Sequence, residues 1–151
     1  MNIKDVREYL GRLFSLEKDL RCIQLELETY REARIKMTVS YGERISGGEQ
    51  SDKLAIFTSK IIEKENELDD INEQIIQMKN DISFIIWKLE DSNQRLVLVM
   101  RYICFMTWEQ IAKKMEYELR YIYKIRKMAE YSVLEMIKSG EILINDKLDI
   151  K

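Results

Sequence analysis

The sequence predicts an all-α fold: a long antiparallel helical hairpin (coiled coil) followed by a C-terminal group of three short helices. Three observations predict it. The 151 residues include no proline and five glycines, and 34% are charged, a profile of long helices with charged outer faces. Apolar residues recur in alternating steps of three and four along two segments of nearly equal length. A stretch containing glycine and serine separates those segments, and closely spaced helix-start signals follow the second.

The first helix is predicted from the start to about Met37. Val6, Tyr9, Leu13, Leu16, Leu20, Ile23, Leu27, Tyr30 and Met37 form its seam, with Arg34 as the polar interruption. Such a helix spans roughly 50 Å at 1.5 Å per residue and cannot bury the seam alone. Residues 38–52 contain Ser40, Gly42, Ser46, Gly47, Gly48 and Ser51 and read as a loop. Gly47-Gly48 is not a phosphate loop, because no Gly-Lys-Ser/Thr follows and no strand precedes it; a hairpin turn is the reading. The second helix is predicted from about Lys53 to Leu89. Leu54, Phe57, Ile61, Leu68, Ile71, Ile75, Met78, Ile82, Ile85 and Leu89 keep the spacing, and Lys64 interrupts it.

Two matched helices predict an antiparallel hairpin over residues 1–89; the alternative is that each pairs with a copy from another chain. Ile62, Phe84, Ile86 and Trp87 lie off the seam. They predict that the hairpin self-associates or packs against the module that follows.

That module is predicted over residues 90–138. Asp91, Ser92 or Asn93 caps its first helix, and Leu96, Val97, Val99, Met100 and Ile103 supply the buried side. Thr107 and Gln110 have capping-box spacing, so a second helix starts at Trp108. Trp108, Ile111, Ala112 and Met115 share its apolar face, where the small Ala112 allows close helix approach. After a three-residue break, a third helix begins near Leu119, with Ile122, Ile125 and Ala129 inward and Met128 on the flank. Arg120, Tyr121, Lys124 and Lys127 lie opposite. Two short helices joined tightly, the second one basic, is a helix-turn-helix arrangement. In that arrangement the second helix enters the DNA major groove. Gly140 reads as a helix C′ residue. The tail, residues 139–151, is left open between a short strand and an extended arm, with Ile142-Leu143-Ile144 expected to pack.

The run Arg95-Leu96-Val97-Leu98-Val99-Met100-Arg101-Tyr102, followed by Thr107-Trp108-Glu109-Gln110-Ile111-Ala112, resembles region 4 of bacterial primary-type sigma factors. It is closer to small phage and prophage late transcription regulators of Gram-positive hosts, the ArpU- and RinA-like activators. The resemblance covers the last third of the chain and extends loosely over the hairpin. It implies sequence-specific binding of double-stranded DNA, with Leu119, Arg120, Tyr123 and Lys124 at base-facing positions. Relatives have Gly at Phe105 and Gly-x-Ser at Glu116-Tyr117-Glu118. Either Glu116 takes the left-handed conformation with strain, or the turn differs. Glu118 is expected to cap weakly and places a carboxylate near any phosphate.

The side chains fit that role. Arg120 suits bidentate contact to guanine, and Lys124 suits guanine or phosphate. Tyr121 and Tyr123 can donate to phosphate or pack on thymine methyls, and Lys113, Lys114 and Lys127 neutralise the backbone. Residues 95–138 hold about nine basic and five acidic side chains, on an otherwise acidic chain of net charge −2. Arg101 is expected to pair with Glu109, and Tyr102 and Trp108 to lie in the core.

Catalysis has little to stand on. With no histidine and two distant cysteines, His-based triads and intrachain zinc sites are excluded, and no cofactor, metal or catalytic site is expected. Glu63, Glu65, Glu67, Asp69 and Asp70 read as a solvated face. Cys22 and Cys104 are expected as reduced apolar fillers of a cytoplasmic protein. No apolar run reaches the ~20 residues of a membrane span, and the early charges do not suit a signal peptide. The expected function is a phage or prophage DNA-binding transcription regulator, with duplex DNA, RNA polymerase or a second copy through the hairpin as partners. The rivals are a phage small terminase subunit, a module that grips RNA polymerase without DNA, and a plain coiled-coil scaffold.

Overall fold

A computed structural model describes residues 1–41 and 48–144. These are all helical in their regular elements: α1 (Ile3–Tyr41), α2 (Glu49–Trp87), α3 (Ser92–Leu98), a π-helical turn (Val99–Ile103), α4 (Trp108–Met115) and α5 (Leu119–Lys138). The chain divides into two compact units, one of Met1–Phe14 with Gln77–Lys151, the other of Ser15–Ile76. The division falls within both long helices, after Phe14 in α1 and after Ile76 in α2. Both ends of the hairpin's open side share a core with the short helices.

In the Ser15–Ile76 unit the three–four seam pairs α1 with α2. Arg31 Nη2 meets Glu65 Oε1 at 2.8 Å, and the Tyr30 and Phe57 rings lie 6.4 Å apart. Lys64, the polar interruption of the α2 seam, is held by Glu26 at 2.7 Å and Glu67 at 2.9 Å. Its bonds to those carboxylates raise its pKa above the ordinary lysine value. The expected loop at 38–52 is shorter at both ends, because α1 runs to Tyr41 and α2 starts at Glu49. Thr38 fits the helix by donating its hydroxyl back to the Arg34 carbonyl at 2.9 Å. Residues 42–47, where the hairpin-turn reading falls, lie outside the described residues.

In the other unit, Val6, Leu10 and Leu13 of α1 and Ile82 and Ile86 of α2 are fully buried. Of the four residues off the α2 seam, Ile86 is buried in this unit, while Ile62 in the Ser15–Ile76 unit is exposed. Phe84 and Trp87 are 61% and 69% exposed. Asp91 caps α3, accepting from the Gln94 N–H at 2.9 Å. Arg95 donates to the Leu89 and Glu90 carbonyls and lies over the Trp87 ring. It thereby ties the end of α2 to α3.

The buried side of α3 is Val97 and Leu98, whereas Leu96 is exposed. The expected buried face is thus shifted from Leu96 to Leu98, and α3 passes into the π turn, which the Cys104 N–H closes on Val99 O at 3.0 Å. Cys22 and Cys104 are free thiols, but both are exposed and neither fills a core. Gly140, at φ +76°, ends α5 with Glu141 N–H on Met136 O and Gly140 N–H on Ile137 O. Ile142 packs, while Leu143 is exposed, so the apolar triplet splits. Residues 145–151 lie outside the described residues. Among the described residues, no helix is long and apolar enough to cross a membrane, and no group of acidic, Cys or His side chains could hold a metal.

Candidate nucleic-acid interface

The site is built on α4, a three-residue turn and the first turns of α5. The capping box at the start of α4 is present in full. Thr107 Oγ1 accepts from the Gln110 N–H at 3.2 Å, and Gln110 Oε1 accepts from the Thr107 N–H at 2.9 Å. Thr107→Ala is expected to lower stability by about 1 kcal/mol in a urea titration.

At the other end of α4, Glu116 adopts φ +57°, ψ 37°. The Tyr117 N–H bonds Ala112 O at 3.0 Å and the Glu116 N–H bonds Lys113 O at 3.3 Å, the two bonds of a Schellman motif. Phe105 is also left-handed, at φ +56°. At both positions a side chain is kept on backbone that favours glycine. Phe105 recovers part of the strain by packing on Phe14, with ring centroids 5.6 Å apart. The Glu116 side chain is exposed. Glu116→Gly is therefore expected to raise stability by about 0.5–1 kcal/mol, and Glu116→Val to lower it by at least about 1 kcal/mol, in thermal melts.

Glu118 starts α5 in an extended conformation and makes no side-chain cap bond, so the expected weak cap is not formed. The inner face of the pair is a cluster of Val97, Ile111, Ala112, Ile122 and Ile125. Leu119 packs against this cluster with Met115 and Trp108. It does not face outward as the resemblance implied; its position in the first turn points it at α4.

The outer face is different in kind. Arg120, Tyr121, Tyr123, Lys124 and Lys127 are exposed and, with Glu118, line an open depression of about 530 Å³. Tyr121 stands edge-on to Tyr117 at 4.9 Å, and Tyr123 tilts against Trp108 at 6.0 Å. Lys113 and Lys114 are exposed on the last turn of α4 and do not line the depression.

Behind this face lies a network that sequence reasoning missed. Glu130 on α5 is fully buried. Its Oε2 accepts from Arg7 Nε at 2.8 Å and its Oε1 from Arg126 Nε at 2.8 Å. The bond to Glu130 raises the Arg7 pKa above its ordinary value. Arg126 stacks on one aromatic ring, Trp108, at 4.7 Å, and Arg101 stacks on the same ring at 4.8 Å. Arg101 also donates to the Met106 carbonyl at 2.9 Å. These contacts stand in place of the expected pair with Glu109. The i, i+4 spacing of Arg126 and Glu130 was a usable signal; Arg7, 123 positions from Glu130, offered none.

Burial pushes the Tyr102 hydroxyl above its ordinary pKa of 10.0, and burial does the same for Tyr9. The neutral phenols contribute stability in full below about pH 10, lost as pH rises through their raised folded values. A urea midpoint that falls above pH 10, and falls less in Tyr102→Phe, is the expected result.

A family model matches residues 36–135, about two thirds of the chain. The chain belongs to the DUF1492 family. That family is described as a protein of unknown function. No curated protein and no solved structure matches the chain. In this DUF1492 chain the matched segment begins within α1 and ends within α5. It contains every residue lining the depression, and Glu130, but not Arg7.

Proposed function

We propose that this DUF1492 chain is a sequence-specific DNA-binding transcription regulator of phage or prophage type. The α4–α5 pair acts as its helix-turn-helix. The observation that carries this reading is the exposed basic and aromatic face on the first turns of α5, backed by the apolar cluster of Val97, Ile111, Ala112, Ile122 and Ile125. Arg120 and Lys124, one turn apart, read base edges; Tyr121, Tyr123 and Lys127 hold sugar and phosphate, with Lys113 and Lys114 as more distant neutralisers. Such chemistry belongs in the cytoplasm, where free thiols such as Cys22 and Cys104 stay reduced.

The hairpin serves self-association or contact with RNA polymerase. Exposed Ile35, Val39 and Ile62 in the Ser15–Ile76 unit support a protein contact there. Two tethered modules would raise avidity by effective concentration. A small terminase subunit would instead assemble into a large ring, which mass measurement in solution separates from a monomer or dimer.

The test is a duplex-DNA titration at two salt concentrations, with wild type beside Arg120→Ala/Lys124→Ala. Salt-sensitive, sequence-preferring binding that weakens by on the order of a hundredfold in the double variant is the expected result. Equal binding to all sequences, untouched by the substitutions, would remove α5 from the interface.

A further inference from the structure

Glu118 is the only carboxylate among the residues lining the α5 depression, beside three cations. It sits at the N-cap position in extended conformation and makes no cap bond. Its side chain is exposed and forms no ion pair with Arg120, Lys124 or Lys127 among the described residues. The carboxylate is therefore a free acceptor on a face otherwise made of donors. A carboxylate there repels phosphate and subtracts from general affinity, so it is ill suited to holding the DNA backbone. It is well suited to one feature of a base edge. An ionised carboxylate only accepts hydrogen bonds, and in the major groove it matches the exocyclic amino group of cytosine. The first residues of the second helix are those that reach base edges in this arrangement.

We propose that Glu118 is a specificity-determining residue, which accepts a hydrogen bond from the N4 amino group of one cytosine in the bound duplex. The inference rests on the DNA-binding reading above. It adds a position where specificity is gained by a group that weakens binding everywhere else. Duplexes lacking the amino group meet an unpaired carboxylate, and non-cognate DNA is rejected.

The experiment is selection from a randomised duplex library with full-length wild type, Glu118→Ala, Glu118→Gln and Arg120→Ala/Lys124→Ala. Wild type is expected to prefer cytosine at one position by about tenfold. Glu118→Ala loses that preference and keeps the others. Glu118→Gln moves it from cytosine to adenine, because an amide pairs with adenine N6 and N7. Melting temperatures of both Glu118 variants stay near wild type, since the side chain makes no cap bond. Unchanged preferences in both variants, or an affinity change of the same factor on every duplex, would overturn the proposal. If Arg120→Ala/Lys124→Ala loses binding while the Glu118 variants keep the wild-type preferences, only the Glu118 assignment fails. If wild type selects no sequence, the DNA-binding reading fails and the Glu118 assignment with it.

Discussion

Arg7→Ala/Arg126→Ala is expected to destabilise the chain by about 3–5 kcal/mol, more than removal of the carboxylate those arginines share. The asymmetry follows from where each charge can go. The Glu130 side chain has no exposure to solvent, whereas those of Arg7 and Arg126 are 44% and 23% exposed. Deleting both arginines leaves a carboxylate with neither partner nor water. Deleting the carboxylate leaves two guanidiniums that can partly rehydrate, one of them still stacked on Trp108. Glu130→Met, which fills the space with an apolar chain, is therefore expected to lower stability by only about 1–2 kcal/mol. The exposed Arg31–Glu65 pair is a useful contrast, since Arg31→Ala should change stability by less than about 1 kcal/mol. Urea midpoints for the variants decide it. Equal losses for the double-arginine variant and Glu130→Met would show that Glu130 is not held as a buried charge.

A fragment of residues 90–138 is expected not to fold by itself, although it contains all of α3, α4 and α5. Val6, Leu10 and Leu13 lie in the same compact unit as those helices and are at most 1% exposed. Burying each such side chain is worth about 1.5–3 kcal/mol, and the three together rival the whole stability of a small domain, about 5–15 kcal/mol. Removing residues 1–14 from the full chain should have the same consequence for the short helices while sparing the Ser15–Ile76 unit. Amide NMR spectra of the fragment and the truncated chain are the measurement. Dispersed signals from the 90–138 fragment would show that α3, α4 and α5 fold without residues 1–14.

Much of the architecture was legible because it is periodic. The seam from Val6 to Met37 and its counterpart from Leu54 to Leu89 repeat the same spacing for many turns, and the Thr107–Gln110 box is a local signal. The outer face of α5 was legible for the same reason, since it is whatever Ile122, Ile125 and Ala129 leave exposed. The rest was not legible in this way. Leu10, Ile86 and Leu98 are buried although they lie off the faces that helical spacing assigns to the core. Leu119 was misplaced because family position was used where the local packing of a first helical turn decides. Glu130 reads as one more surface acid until Arg7 is known to reach it.

The link between positions 7 and 130 also bears on the order in which the chain matures during synthesis. The Ser15–Ile76 unit is complete in sequence long before α5 exists, and its partners are all at hand. The first fourteen residues must instead wait, with Val6, Leu10 and Leu13 unmatched, until residue 130 has left the ribosome. Translation at about 5–20 residues per second makes that interval several seconds. Contacts so far apart in sequence also slow the final step relative to a bundle built from neighbours. The unit that carries α3, α4 and α5 is thus the last part of the chain to become native. During that interval the exposed apolar segment at the start of the chain is the natural target of a chaperone or a protease.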